Sequence, residues 1–66
     1  MSLTHYFVEY KSVSLEQRKK LLKEIETHSF NGALFTPDFN SCEFFLEQDV
    51  DISVINFPQG SHLKRL

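Results

Sequence analysis

The sequence predicts a small α+β domain in which one helix packs on one face of a small mixed sheet. One long amphipathic pattern is typical of a helix, and the apolar runs around it have the length of strands. The chain has 66 residues, of which 41% are hydrophobic, which suffices for one small core. We expect the order strand, helix, strand, strand, strand within a single domain, residues 1–66, with an irregular tail at 58–66.

The first strand is predicted in the segment THYFVEYK, residues 4–11, because its side chains alternate in character. Tyr6 and Val8 fall on one face of this strand, and His5 and Phe7 fall on the other. Both faces carry aromatic side chains. The pattern therefore indicates a central strand, or one that is covered on both sides.

The helix is predicted in the segment SLEQRKKLLKEIETHS, residues 14–29. Ser14 suits the N-cap, and Gln17 stands three residues later, as a capping box requires. Asn31 and Gly32 supply the stop, because glycine tolerates the left-handed backbone that often follows a helix. The apolar stripe that we expect to pack on the sheet consists of Leu15, Leu21, Leu22 and Ile25.

Three short strands are predicted after the helix, at residues 33–35, 42–47 and 50–57. Pro37 and Pro58 end the first and the last of them, since proline cannot donate a hydrogen bond to a neighbouring strand. We expect the first two strands of the chain to be parallel and joined by the helix as a right-handed crossover. The remaining connections are predicted to be hairpins, which completes a mixed sheet.

Phe44 and Phe45 are neighbours, so in a strand they point to opposite faces of the sheet. Phe44 belongs to an apolar set with Cys42 and Leu46, which is the expected bed for the helix. Phe45 lies on the other face, where no second helix is available to cover it, and an exposed aromatic patch of this kind usually marks an interaction surface. The predicted partner-binding residues are Glu43, Phe45, Glu47, Asp51, Ile55 and Phe57.

Charge is distributed unevenly along the chain, although the net charge is only −2. Between Glu24 and Leu63 there is no Lys or Arg, whereas that span holds seven carboxylates. We expect a mostly acidic sheet surface that favours a basic partner, because complementary charge raises association rates.

Candidate catalytic and metal-ligating residues are few. His5, His28, His62 and Cys42 form no close pair of the spacing that zinc sites use. We weigh Cys42 as a nucleophile against Cys42 as a core residue and prefer the core. The carboxylates in LEQDVDIS, residues 46–53, suit either a divalent cation or a solvated hairpin turn, and we prefer the turn. No catalytic, cofactor or metal residue is therefore named, and we lean against an enzyme.

The function that the sequence favours is protein binding by a small regulatory or inhibitor-like module. The partner is expected to include a second copy of the chain, because a two-fold homodimer would cover the patch around Phe45. The main competitor is a tail that folds back, with Leu63 and Leu66 over the patch.

The alternative function is action on nucleic acid through the basic helix segment QRKKLLK, residues 17–23, and the overall acidity disfavours it. We expect a cytoplasmic protein without a membrane partner. The chain has a single cysteine, and its first ten residues resemble neither a signal peptide nor a membrane span.

Overall fold

The computed structural model describes residues 2–66, and it has the α+β architecture that the sequence predicts. Four strands form one sheet in the order β2-β3-β1-β4, and every neighbouring pair is antiparallel. A 3-10 turn at Ile52–Val54 lies between β3 and β4. The elements are β1 (Leu3–Glu9), α1 (Leu15–His28), β2 (Leu34–Phe35), β3 (Ser41–Glu47) and β4 (His62–Arg65).

The expectation of a mixed sheet with adjacent parallel strands is wrong. β1 and β2 do not touch along their length, because β3 lies between them. The loop between β2 and β3 turns the chain back so that β3 pairs with β2, and β3 then pairs with β1 along its full length. β2 is only two residues long, so the sheet gains far more hydrogen bonds when β1 pairs with the seven-residue β3.

The predicted strand at residues 50–57 is also wrong. The carboxylate Oδ1 of Asp51 accepts a hydrogen bond from the backbone N–H of Ser53 at 2.9 Å, which caps the 3-10 turn. Short polar side chains commonly compete with a sheet in this way. The fourth strand comes instead from the tail, where His62–Arg65 pairs with the free edge of β1. The tail is therefore part of the sheet and does not fold over its face.

The helix forms as the sequence predicts, with Ser14 as N-cap. The Ser14 hydroxyl accepts a hydrogen bond from the N–H of Gln17 at 3.3 Å. Leu21 and Ile25 are buried against the sheet, whereas Leu15, which was predicted to belong to the same stripe, is 66% exposed. The buried core consists of Val8, Tyr10, Val13, Leu21, Ile25, Cys42, Phe44, Leu46 and Ile55.

Candidate functional site

The face of the sheet opposite α1 is the candidate site, and we call it the open face. Val8 and Phe44 point towards α1 and are fully buried, so their neighbours in β1 and β3 point the other way. Directly opposite residues of paired strands share a face, which extends the set to β2 and β4. The open face carries Leu3, His5, Phe7, Glu9, Leu34, Glu43, Phe45, Glu47, His62 and Lys64.

An aromatic stack forms the centre of the open face. His5 and Phe45 are directly opposite each other in β1 and β3, and their rings stack with centroids 4.3 Å apart and planes 15° apart. The Nε2 atom of His5 lies 2.7 Å from Oε1 of Glu43. This approach does not have hydrogen-bond geometry, so it is a close polar contact and not a hydrogen bond. The stack holds one polar and one apolar ring against each other before any partner binds.

A shallow pocket of about 210 Å³ adjoins Phe45. Its apolar walls are Leu3, Phe30 and Leu34, and Asn31 and Gly32 also line it. Both of these residues have positive φ, 61° and 78°, which turns the chain after α1 so that Phe30 lies beside β3. The N–H of Phe30 donates to the carbonyl oxygen of Phe45 at 2.8 Å. The open face is therefore apolar beside Phe45 as well as at the stack.

Charge divides the open face by strand. β3 contributes the carboxylates Glu43 and Glu47, and β1 contributes Glu9 at one end, whereas β4, on the far side of β1, contributes His62 and Lys64. This side of the face was not predicted, because the tail at residues 58–66 was expected to be irregular. The alternation of side chains in HLKRL, residues 62–66, is the signal that could have indicated a strand.

The structure brings together three of the six predicted partner-binding residues. Glu43, Phe45 and Glu47 share the open face, as alternation in β3 predicts. Ile55 is only 3% exposed and belongs to the core, so its expected place beside Phe45 is wrong. Phe57 is partly buried against that core, and Asp51 caps the 3-10 turn. These three residues lie away from Phe45 because the strand predicted at residues 50–57 does not form.

Several carboxylates of the predicted acidic surface hold local structure instead. Oδ1 of Asp38 accepts hydrogen bonds from the hydroxyl of Thr36 at 2.7 Å and the N–H of Asn40 at 3.1 Å, and these bonds hold the pKa of Asp38 below 3.8. The backbone N–H of Ser53 similarly lowers the pKa of Asp51. Within residues 2–66, no three His, Cys, Asp or Glu side chains converge as metal ligands would.

The thiol of Cys42 lies in the core rather than in a reactive setting. It is fully buried, and this burial raises its pKa to about 11. Burial also raises the pKa of Tyr10 to about 12, and the nearby Cys42 adds to that shift. A nucleophilic cysteine needs a lowered pKa and access to solvent, and Cys42 has neither.

Arg18, one of the cations of the basic helix, makes hydrogen bonds within the fold. Nη2 of Arg18 donates to the carbonyl oxygens of Tyr10, Lys11 and Val13 at 3.1, 3.2 and 3.4 Å. The guanidinium carbon also lies 5.3 Å from the centroid of the Tyr10 ring. Arg18 therefore fastens the loop between β1 and α1.

No family model, curated protein or solved structure matches this chain. In residues 2–66, none of the helical segments has the length and apolar character needed to cross a membrane. The geometry and charge of the open face are therefore the observations that bear on function.

Proposed function

We propose that the chain is a protein-binding module and that the open face is its binding surface. The observation that carries this proposal is the contrast between the two faces of the sheet. α1 packs on one face, whereas the other keeps the His5–Phe45 stack and apolar neighbours, among them Leu34, which is 66% exposed. Aromatic anchors ringed by polar residues are the usual composition of a protein interface.

Charge supports a protein partner over a nucleic acid. Glu43 and Glu47 flank Phe45 along β3, so a phosphate backbone would meet two carboxylates beside the ring on which a base would stack. On the helix, Arg18 is bound to three backbone carbonyls and offers little to a phosphate. The nucleic-acid alternative thus lacks both a stacking surface of suitable charge and a free arginine there.

A module of this kind acts by occupying a surface of its partner, which suits a regulatory or inhibitor-like role. We also propose a cytoplasmic location. The single cysteine is a free, buried thiol, and small domains in oxidising compartments usually depend on several disulfides.

The test is affinity capture from an extract of the source cells with three immobilised proteins: the parent, Phe45→Glu and Lys19→Glu. Lys19 is exposed on α1, so its variant also introduces a carboxylate, but away from the open face. We expect the parent and Lys19→Glu to retain at least one protein that Phe45→Glu does not retain. A second copy of the chain counts as such a protein. Equal retention by all three would overturn the proposal.

A further inference from the structure

We infer that a second copy of this chain covers the part of the open face formed by β3, β1 and β4, with the two-fold axis running along β1. This inference rests on the proposed function, because it names the occupant of the proposed binding surface. It depends on how charge and apolar side chains are arranged on the two sides of β1.

The strand register places opposite charges at the same level on either side of β1. Phe7 is directly opposite Glu43 in β3 and directly opposite Lys64 in β4. One row across the open face therefore reads Glu43, Phe7, Lys64. In the next row, His5 has Phe45 on the β3 side and Leu66 on the β4 side, where the N–H of Leu66 donates to the carbonyl oxygen of His5 at 2.9 Å.

A two-fold axis along β1 turns one open face onto the other and exchanges the two sides. The β3 side of each copy then lies over the β4 side of its partner. Glu43 of one copy faces Lys64 of the other, and Phe45 faces Leu66. The β1 residues His5, Phe7 and Glu9 meet their own counterparts on the axis, so the Glu9 pair is one like-charge contact. Two salt bridges and two apolar contacts therefore surround the central pair of Phe7 rings. The interface is isologous, because both copies contribute the same surface, and the two sheets are aligned.

The other face-to-face arrangement has its axis across the strands, and charge disfavours it. An axis through the level of Phe45 would place β3 over the same strand of the second copy. Glu43 would then face Glu47, which brings like charges together twice, whereas the axis along β1 does so once, at Glu9, and adds two contacts of opposite charge. Juxtaposed like charges at an interface cost several kcal/mol, so they select against this arrangement.

Pairing of two copies through the outer edge of β4 is disfavoured for a similar reason. The edge strand carries Lys64 and Arg65, both exposed, and charged side chains on an edge strand hinder the approach of a second edge. Face-to-face docking avoids this repulsion because it sets Lys64 against a carboxylate.

The size of the open face sets the strength of the expected dimer. Three strands, β3, β1 and β4, overlap in this arrangement, and at about 4.8 Å between strands and about seven residues of 3.4 Å each they give a flat area of about 340 Å² per copy. A typical stable interface buries about 800 Å² per partner. We therefore expect a reversible dimer that forms in the micromolar range or above, rather than a permanent one.

The test is a charge exchange between copies, measured by sedimentation velocity. Glu43→Lys alone and Lys64→Glu alone should each weaken self-association by about tenfold or more, because each places like charges in contact. An equimolar mixture of the two variants should associate again, since the lysine introduced by Glu43→Lys then faces the carboxylate introduced by Lys64→Glu. A fluorescent label on one variant identifies that heterodimer.

Two controls and a salt series complete the experiment. Glu47→Lys should leave the dimer nearly unchanged, because Glu47 lies opposite Leu3, beyond the end of β4. Lys19→Glu, on α1, should also have no effect. The parent dimer should weaken as salt rises, and this measurement needs no variant.

The inference is overturned if the parent is a monomer at high micromolar concentration, if both exchanges leave the dimer unchanged, or if their mixture fails to associate. The first result, combined with Phe45-dependent capture of a different protein, would leave the proposed function standing. If the parent is monomeric and also captures no protein, both the dimer and the proposed function are wrong.

Discussion

Phe44 and Phe45 are consecutive in the chain, yet the structure gives them opposite surroundings. Phe44 is fully buried beneath α1 and stacks against Tyr6 with ring centroids 5.5 Å apart. Phe45 lies on the open face, only partly buried, against His5. The face of the sheet beneath α1, which we call the covered face, therefore contributes most to stability. The open face keeps apolar surface that stability alone does not require.

The largest expected difference is between alanine substitutions at these two positions. Phe44→Ala should lower the free energy of unfolding by about 3–5 kcal/mol, because it empties a closed part of the core. Phe45→Ala should cost about 1 kcal/mol, since it removes mainly the contact with His5. Denaturant unfolding measures both. Equal losses would mean that the two faces do not differ as described.

The same comparison extends to the helix. Leu21→Ala should cost about 2–5 kcal/mol, because Leu21 is 1% exposed in the core. Leu15→Ala is the matched control on the same helix and should change stability by less than about 0.5 kcal/mol, as surface substitutions usually do. If Leu15→Ala proved the more damaging, the orientation of α1 on the sheet would be wrong.

Cys42 allows a chemical check of the covered face. Its pKa of about 11, raised by burial from 9.0, keeps the thiol protonated at neutral pH. Alkylation of the native protein at about pH 8, followed by mass spectrometry, should therefore be slow and become fast in denaturant. Because the folded pKa is raised, this group contributes stability below pH 9.0 that is lost as pH rises towards 11. Rapid alkylation of the native protein would contradict the burial of Cys42.

The smallest expected effect concerns Asp38, in the loop between β2 and β3. Its pKa is lowered by hydrogen bonds, chiefly from Thr36, so it contributes stability above pH 3.8 that is lost as pH falls through the folded pKa. Asp38→Ala should therefore lower the melting temperature slightly at neutral pH, and the difference from the parent should shrink in acid. Asp49→Ala, at another exposed carboxylate, removes the same charge and serves as the control for net charge.

Local patterns in the sequence predicted much of this fold. The N-cap at Ser14 and the opposite orientations of Phe44 and Phe45 follow from spacing alone. The strand order could not be predicted from these local patterns. It depends on which segment gains the most free energy by pairing with each edge of β1. The apolar residues after Val50 suit a strand, but the cap at Asp51 turns the chain there, and the tail takes the free edge instead.

The candidate site was predictable only on the β3 side. Glu43, Phe45 and Glu47 were found because their alternation lies within one strand. The basic side was not found, because Lys64 reaches the open face through a pairing between residues far apart in the chain. The combination of both charges on one face is thus a property of the topology.

The most direct test of the central claim is a dilution series followed by two-dimensional amide NMR. As the parent is diluted from high to low micromolar concentration, the amide resonances of Phe7, Glu43 and Phe45 should shift together, whereas those of Lys19 and Lys23 on α1 should stay fixed. Phe45→Glu should remove the concentration dependence and keep the dispersed spectrum of a folded protein. Shifts confined to α1, or no shifts at any concentration, would contradict the claim that the open face binds a second copy.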